Sequence, residues 1–523
     1  MELTRAWEIN FRVNKLVFTS LDERINDAFM PFAVWWEKLV FIELNLFGVS
    51  IPIVLLLLLS GALFFTIYFK GINLKYFPTA IRVVRGKYDE AEKTASSYEK
   101  EESINTPFSG EVNHFQALTT AVSGTVGLGN IAMVAVAISI GGPGATFWMV
   151  IAGLLGMSSK FVECTLGVKY RDIDDQGNVF GGPMYYLSRG LKNKGFKNFG
   201  KILATVFALL CVGASFGGGN AFQSNQAAAQ IISRFNIESA NSGSFIGCIF
   251  AVLVGIVIIG GIKRIAKVTE KIVPFMAGLY VVAALVIIVL KFDLVGDAIN
   301  LIFKEAFNPR ASITGGVIAV MIQGFRRAAF SNEAGAGSAA IAHAAVKTKF
   351  AASEGLVGLL EPFIDTVVIC TITALVIILF SIEGGFIYGD VINQEVLLSN
   401  GSRVGGVNLT SMAFENSIPG SSYVLAIAVV LFAFSTIISW SYYGLQSWKY
   451  LFGRSKRSDL IYKILFLIFT VLGAAITMDA VIKFSDAMIL ALVFPNIIGL
   501  FFLFPEVKAE LQKYRTVIRK ISN

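Results

Sequence analysis

Long apolar runs are the feature that most limits what this chain can fold into. One of them, residues 46–69, reads LFGVSIPIVLLLLLSGALFFTIYF and contains no charged residue. A helix of about 18 or more such residues is long enough to cross the ~30 Å hydrocarbon core of a bilayer. Comparable runs recur along the chain, and only 15% of its residues are charged, against about 25% in an average soluble protein. The sequence therefore predicts an all-α polytopic membrane protein.

The apolar runs predict about eleven transmembrane helices. After the run at 46–69, ten more helices are expected at 112–140, 144–168, 202–233, 245–261, 268–291, 313–345, 353–381, 421–447, 460–478 and 480–504. The polar segments between them divide the chain into predicted units. These are an exterior or interfacial segment 1–45, an extra N-terminal helix 46–69, a cytoplasmic linker 70–111, a first five-helix repeat 112–291, an exterior connection 292–312, a second five-helix repeat 313–504 and a cytoplasmic basic tail 505–523.

The distribution of basic residues predicts the orientation. Most of the 44 Lys and Arg residues fall in segments on the same side as residues 70–111 and the C-terminus. Cytoplasmic loops of membrane proteins carry such an excess, so the N-terminus is expected outside and the C-terminus inside. The net charge of +8 is spread over short loops and forms no basic face, which argues against nucleic acid as a partner. The Gly-, Ser- and Asn-rich exterior loop 382–420 is interpreted as either a lid or a plain loop.

Two predicted spans are interrupted by polar, glycine-rich stretches. One contains SGTVGLGN, Ser123 to Asn130, and the other contains GFRRAAFSNEAGAGSAA, Gly324 to Ala340. Each interruption falls in the first helix of a five-helix half, and an odd number of helices gives the two halves opposite orientations. Paired interruptions of this kind indicate the substrate site of a secondary transporter. The sequence therefore predicts a five-plus-five inverted repeat with a broken first helix in each half.

An interrupted helix exposes backbone groups that lipid cannot satisfy and that a polar ligand can. The N–H groups and positive dipole end of the second half-helix suit a carboxylate, and the carbonyl groups of the first suit a hard cation. A glycine kink or close helix packing is the alternative interpretation. A phosphate loop is disfavoured, because no Lys-Ser/Thr follows Gly129 and no strand precedes Gly124.

Several blocks of the sequence resemble the alanine/glycine:cation symporter family. They are GTVGLGNIAMVAVAISIGGPGATFWM, KYR…GGPMYYL, GNAFQSN, FSNEAGAGSA and FSTIISWSYYG, in collinear order between about residues 46 and 505. VGLGN is also similar to the first core helix of the neurotransmitter:sodium symporters, which share the leucine-transporter-like fold of the amino acid–polyamine–cation superfamily. The resemblance implies this five-plus-five fold with one extra N-terminal helix.

The resemblance also implies an activity. It is symport of a small neutral amino acid, alanine or glycine, with Na⁺ as the coupling ion and no other cofactor, across the plasma (inner) membrane. The implied substrate-binding residues are Thr125, Gly127, Leu128, Gly129, Asn130, Gln223, Phe330, Asn332 and Trp440. The implied sodium ligands are the carbonyl groups of Ser123 and Val126 and the hydroxyl groups of Ser435 and Thr436.

The chain departs from the family pattern in three places. Met133 stands where Gly is usual, Val150 where Trp is usual, and Ala328 and Ala329 where Gly-Leu is common. Met133 is the most consequential, because a larger side chain beside the break reshapes the pocket. The choice among alanine, glycine, serine and D-amino acids, and that between sodium and protons, therefore stays open.

Charged and amide side chains inside the spans have competing interpretations. Glu333 is expected to cap the second half-helix rather than to bind a ligand, and Arg326 and Arg327 to pair with Glu333 or with nearby carbonyl groups. Glu361 and Asp365, one turn apart, are expected to pair with a basic group at a helix end, with proton transfer as the alternative. The side chain of Gln223 is assigned to the site by the resemblance. For Asn225 a hydrogen bond between helices is the competing interpretation.

Two rival functions were weighed against transport. Gly213 to Gly217 matches the G-x-S-x-G pattern of a serine hydrolase with Ser215 as nucleophile. Such an enzyme needs a histidine base, and His114 and His343 are expected at the interface or in helix packing. A passive ion channel is the second rival, and the chain shows no repeated filter-like loop. Transport is the favoured prediction, and the chain is not expected to be an enzyme.

Overall fold

The computed structural model describes residues 20–46, 49–90, 92, 110–310, 313 and 315–522. Residues 1–19 of the predicted exterior segment, 93–109 of the predicted linker, and 311–312 of the predicted exterior connection lie outside the described residues. The first half of the chain contains the helices α1 Leu21–Val40, α2 Ile53–Tyr68, α3 Ile72–Lys75, α4 Phe77–Val84, α5 His114–Thr125, α6 Ala132–Gly141, α7 Gly144–Lys169, α8 Pro183–Asn193, α9 Lys197–Phe216, α10 Phe222–Phe235, α11 Ser242–Ile258, α12 Gly261–Leu290 and α13 Phe292–Phe307.

The second half contains the helices α14 Gly316–Asn332, α15 Ala340–His343, α16 Ala351–Gly358, α17 Leu360–Pro362, α18 Thr371–Ile382, α19 Gly406–Ser417, α20 Ser421–Phe452, α21 Lys456–Ala475, α22 Met478–Ala491 and α23 Val493–Ser522. Three small antiparallel sheets pair β1 Glu43–Leu46 with β2 Val49–Pro52, β3 Asp172–Ile173 with β4 Val179–Phe180, and β5 Phe386–Ile392 with β6 Glu395–Leu398 and β7 Arg403–Gly405.

Seven helices of the described part are long and apolar enough to cross a membrane, and a bent helix pair adds an eighth candidate. The bent pair is His114–Thr125 with Leu128–Gly141, which turns by 54° at the first predicted break. Two shorter apolar helices are α2 and α11. Together with the α14–α15 pair, these elements give every predicted span a helical counterpart.

The first predicted span differs from its expected bounds. The apolar run begins near residue 46, but the chain there forms the β1–β2 hairpin, and α2 begins at Ile53 directly after Pro52. Proline lacks a backbone N–H and fixes φ, so it is accepted at a helix start and rejected inside a helix. The resulting helix has 16 residues and is about 24 Å long.

The first break lies between the end of helix α5 and a short 3₁₀ turn. Helix α5 starts at an Asn113 cap, whose side chain accepts from the N–H of Gln116 at 2.8 Å, and ends at Thr125. The chain leaves helical geometry at Val126 (ψ 84°) and Gly127 (φ −132°, ψ −152°), then forms one 3₁₀ turn over Leu128–Asn130. The break therefore lies within the predicted stretch, Ser123 to Asn130.

The second break is made by left-handed residues. Helix α14 ends at Asn332, and Glu333, Gly335 and Gly337 follow with φ values of 54°, 94° and 84°. Glycine adopts this region without the steric cost that a Cβ atom brings, and α15 begins only at Ala340. Two π-helical segments, Gly217–Ala221 and Phe363–Cys370, interrupt two further helices beside the breaks. Such segments often mark functional sites.

The predicted exterior loop 382–420 has regular secondary structure and packs on the helix that follows the first break. It contains the β5–β7 sheet, with Val391 paired to Val396 and Val396 to Val404, and helix α19. Helix α19 packs on α6, and its Thr410 hydroxyl donates to the carbonyl of Ile131 at 3.1 Å. The loop therefore reaches the polar backbone just beyond the first break. At the other end of the chain, the predicted basic tail continues as part of α23.

Candidate functional site

The backbone of the first break is held by two amide side chains. The N–H of Gly127 donates to Asn130 Oδ1 and that of Leu128 donates to Gln223 Oε1, both at 2.9 Å. Gln223 is fixed in turn, because its Nε2 donates to the carbonyl of Gly218 in the π-helical segment at 2.9 Å. Gln223 is therefore held against the backbone of the first break, and its role in substrate binding stays a prediction. Thr125 bonds only within its own helix, to the carbonyl groups of Ala121 and Val122.

The two breaks face each other. A Cβ atom placed on Gly129 would lie 3.4 Å from Phe330 Cδ1 and 3.5 Å from Ser331 Cα. The Phe330 ring meets the Phe222 ring edge to face, with 5.2 Å between ring centroids. The structure thus brings together the predicted residues of both broken helices, and every residue from Ser123 to Asn130 is buried.

A buried carboxylate joins the two breaks. Asp365 Oδ1 accepts from Asn130 Nδ2 at 2.6 Å, and its Oδ2 accepts from the hydroxyl groups of Ser331 at 2.9 Å and Thr366 at 2.6 Å. Asn332 joins this group by donating to Thr366 Oγ1 at 2.8 Å. The expected basic partner of Asp365 is wrong, since neutral donors surround this side chain. A carboxylate at membrane depth is the sequence signal that points to Asp365 as a candidate functional residue.

Two of the four predicted sodium ligands, the Ser123 carbonyl and the Thr436 hydroxyl, are in contact. Thr436 Oγ1 donates to the carbonyl of Ser123 at 2.9 Å, and Ser123 Oγ donates to the carbonyl of Ser435 at 2.7 Å. Val126 is fully buried and precedes Gly127, where an added Cβ would lie 2.4 Å from Thr436 Oγ1. The Ser435 hydroxyl instead donates to the carbonyl of Phe432 at 3.0 Å.

Hydroxyl and carbonyl oxygen atoms are the ligands that a hard cation prefers. They come here from two helices, α5 and α20, that meet only in the folded protein. In the part of the chain that the structure describes, no group of three or more His, Cys, Asp and Glu residues could hold a metal ion.

Trp440 packs against the π-helical segment beside the site. A Cβ atom on Gly219 would lie 2.1 Å from Trp440 Cγ, so glycine is required for this close approach. The indole Nε1 donates to Glu333 Oε1 at 3.0 Å, and Glu333 Oε2 accepts from the Ser338 hydroxyl. The expectation that Glu333 caps the second half-helix is wrong, because its carboxylate binds these two side chains.

The two arginines before the second break have partners that the sequence did not suggest. Arg327 Nη2 lies 2.8 Å from Asp486 Oδ2, and both residues are buried. Arg326 contacts Asp486 at 2.9 Å and Glu37 of α1 at 2.9 Å. The predicted pairing with Glu333 is therefore wrong. Met133, which departs from the family pattern, contacts Arg327 through its sulfur at 3.0 Å.

Two polar residues are structural. Asn225 Nδ2 donates to the carbonyl groups of Gly473 at 3.0 Å and Ile476 at 2.6 Å, which joins α10 to the end of α21. Ser215 Oγ bonds the carbonyl of Val212 at 2.7 Å and the Tyr462 hydroxyl at 2.9 Å. Neither partner is the histidine base that a serine nucleophile needs, which disfavours the hydrolase.

Comparison with known proteins gives the family. The model of the sodium:alanine symporter family matches residues 36–523. The chain belongs to this family. It is 36% identical to the sodium/alanine symporter AgcS of Methanococcus maripaludis over 89% of this chain and 95% of that protein. It is 32% identical to the probable sodium/glutamine symporter GlnT of Bacillus subtilis over 88% and 87% of the two chains.

The fold is also found among solved structures. The Eremococcus coleocola manganese transporter matches with a TM-score of 0.51 at 15% identity, over 77% of this chain and 82% of that one. At this identity the likeness shows the fold alone, which is the predicted leucine-transporter-like class. The chain is therefore a multi-pass membrane transporter and not an enzyme, as its sequence predicted.

Proposed function

We propose that this protein is a sodium-coupled symporter that takes up a small neutral amino acid, alanine or glycine, by alternating access. The observation that carries the proposal is the contact between α5 and α20, where Thr436 Oγ1 lies 2.9 Å from the carbonyl of Ser123. Family membership and the sodium/alanine symporter of Methanococcus maripaludis support the same choice of ion and substrate. The site would lie in the plasma (inner) membrane, with the N-terminus exterior.

The site is expected to select substrates with small side chains. Gly127, Leu128 and Gly129 would offer backbone groups to the amino acid, with Thr125, Asn130, Gln223 and Asn332 as polar neighbours. Phe330 and Trp440 are both buried beside the breaks, so they leave little room for a long side chain. Met133 is fully buried and narrows the same region on the side of Arg327.

Sodium coupling would act through the half-helix α5. A cation held by the Ser123 and Val126 carbonyl groups and the Thr436 hydroxyl would join α5 to α20, with Ser435 as a further ligand after rotation of its hydroxyl. Loss of the cation would free α5 to move away from α20. The ion would therefore stabilise one access state over the other, which is the thermodynamic requirement for coupling.

The decisive experiment is uptake of radiolabelled alanine into proteoliposomes, with and without an inward sodium gradient at fixed pH. We expect accumulation that collapses when potassium replaces sodium. Thr436→Ala is expected to raise the sodium concentration for half-maximal uptake by about tenfold or more. Ser441→Ala is the matched control, since its hydroxyl bonds the carbonyl of Ile438 in the same helix.

The outcomes separate the parts of the proposal. Uptake driven by a proton gradient and indifferent to sodium would contradict the cation site while keeping the transporter. Sodium-dependent uptake that Thr436→Ala leaves unchanged would move the cation elsewhere. Accumulation of another amino acid in place of alanine and glycine would contradict the substrate and point to the pocket around Met133.

A further inference from the structure

A buried carboxylate is shared by the only two histidines of the chain. His343 Nδ1 lies 2.5 Å from Glu354 Oε1, and His114 Nδ1 contacts the other oxygen, Oε2. Glu354 and His343 are fully buried, and His114 is 8% exposed. The transport mechanism proposed above uses none of these three residues.

The far side of His343 faces a second carboxylate. Its Nε2 lies 3.6 Å from Glu361 Oε2, and neither atom has a hydrogen-bond partner in the described structure. The other oxygen of Glu361 accepts from Lys160 Nζ at 3.0 Å. All of these side chains are fully buried. If one of them loses its proton, water cannot supply the lost hydrogen bond. The expectation of a basic partner is confirmed for Glu361, although Lys160 lies inside α7 and not at a helix end.

The contacts indicate how many protons the two histidines and their carboxylate partners bind. Each imidazole nitrogen that faces a carboxylate oxygen must carry a proton, or two lone pairs oppose each other. His343 Nδ1 lies 2.5 Å from one carboxylate oxygen, and its Nε2 lies 3.6 Å from another, where a proton on Nε2 is attracted to Glu361 without a hydrogen bond. With a proton on both nitrogens the imidazole is a cation. With Lys160 charged, Glu354 and Glu361 ionised and His114 neutral, the group is then electrically balanced. Loss of the His343 proton would leave one uncompensated negative charge.

Other titratable groups surround the cluster and leave the direction of this argument unchanged. On the side of His114 they are Glu92 and Asp89. On the other sides they are Arg171, which faces Glu354, and Glu163 and Cys164, which face Lys160 or His343. Arg171 also donates to the carbonyl groups of Ala344, Val346 and Thr348.

The contacts join the moving parts of the proposed cycle. His114 is the first residue of α5, His343 is the last residue of α15, and Glu354 lies on α16. One carboxylate therefore ties the two half-helices beside the breaks to a third element. We propose that His114, Glu354 and His343 form a proton-binding latch, which holds the predicted cytoplasmic side closed and releases a proton when it opens.

The latch predicts the sign of a pH effect. The closed state binds one more proton than the open state, in which the imidazoles meet water. Acidification on the cytoplasmic side therefore favours the closed state, and rising pH favours opening. The proposal rests on the alternating access of the proposed function, but not on its amino acid or its coupling ion.

Opening can be measured by the distance between two spin labels, a readout that does not depend on transport. Labels are placed by Phe115→Cys on α5 and Lys192→Cys on α8, both exposed, in a Cys248→Ser background that removes the exposed native thiol. In reconstituted protein, we expect the open population to rise about threefold or more between roughly pH 6 and pH 8.5, where imidazoles titrate.

Three substitutions test the assignment. Glu354→Gln and His343→Gln are expected to raise the open population at low pH and to reduce its pH response to less than about 1.5-fold. Glu506→Gln is the matched control, because this carboxylate pairs with Lys169 outside the latch and should keep the full response. Should the buried variants fail to fold, His114→Gln at the edge of the cluster should still raise the open population at low pH.

Several results would overturn the latch. They are a wild-type open population that is constant or falls with rising pH, a full pH response in Glu354→Gln, or an open population at low pH that His114→Gln leaves unchanged. Sodium-driven alanine uptake is measured on the same samples. A preserved pH response without alanine uptake would overturn the proposed function and leave the latch intact, and the reverse result would overturn the latch alone.

Discussion

Gly127 is a residue at which the site leaves no room for a side chain. A Cβ atom there would lie 2.4 Å from Thr436 Oγ1 and 3.0 Å from Gln223 Oε1. Gly127→Ala is therefore expected to displace both side chains and to lower alanine uptake by about tenfold or more, which is about 1.4 kcal/mol. Gly278→Ala, in the interior of α12 where no atom lies within 4 Å of the added Cβ, is the control. Equal uptake by the two variants would show that Thr436 and Gln223 do not form the site.

Asp365 makes a different prediction, because its two carboxyl oxygens accept from three neutral donors. In Asp365→Asn, the new NH₂ group would oppose donors from Asn130, Ser331 or Thr366. An unsatisfied buried group costs about 1–3 kcal/mol, so the thermal unfolding midpoint in detergent and the alanine uptake should both fall. Asp297→Asn, at an exposed position of α13, should leave both unchanged. An unaltered midpoint for Asp365→Asn would mean that this carboxyl is neutral in the folded protein.

Sequence reasoning at the residue level succeeded where the signal was local. The stretch from Ser123 to Asn130 predicted the break, and the family resemblance pointed to Gln223, which contacts the backbone of that break. The partners of Asp365, Arg327 and Glu333 were not predictable, since they depend on contacts such as Arg327 with Asp486, 159 residues apart. No spacing pattern encodes such a contact in a single sequence.

The helix α1 connects the start of the described chain to the polar cluster before the second break. It packs along α22, where Phe29 and Phe484 meet edge to face at 5.0 Å and Asn26 Oδ1 accepts from Thr477 N at 3.1 Å. Its Glu37 then reaches Arg326. The sequence predicts an exterior or interfacial segment here, but not its attachment to the transporter core.

We expect Glu37→Gln to loosen the predicted exterior side of the transporter. Glu37 is partly exposed, and an ion pair of this kind contributes up to about 1 kcal/mol, so exchange of alanine should change by no more than about fivefold. The measurement is alanine exchange in proteoliposomes at high and low salt, because screening weakens the ion pair. Asp27→Asn, an exposed residue on the same helix, should have no effect. A salt response identical in wild type and Glu37→Gln would contradict the assigned role of α1.

Hydropathy alone predicts which segments of the chain form membrane-spanning helices. Each apolar run became a helix because lipid satisfies no backbone hydrogen bond, so the chain must satisfy its own. The β1–β2 hairpin, the β5–β7 sheet and the π-helical segments were missed. Their positions depend on Pro52, on short strands outside the apolar runs and on packing beside the breaks, none of which gives a hydropathy signal.

The orientation of the whole molecule in the membrane is not fixed by its fold. The distribution of charged residues predicts it. The helix α23 carries Lys508, Lys513, Arg515 and Arg519, whereas the β5–β7 sheet carries one Arg, so the positive-inside rule places α23 in the cytoplasm. Cysteines introduced by Asn400→Cys, beside β7, and Gln512→Cys, on α23, both lie at exposed positions. In a Cys248→Ser background, a membrane-impermeant maleimide should label residue 400 in intact cells and residue 512 only after permeabilisation. The reverse pattern would invert the topology and would place the Arg326–Asp486 cluster, rather than the histidine latch, on the cytoplasmic side.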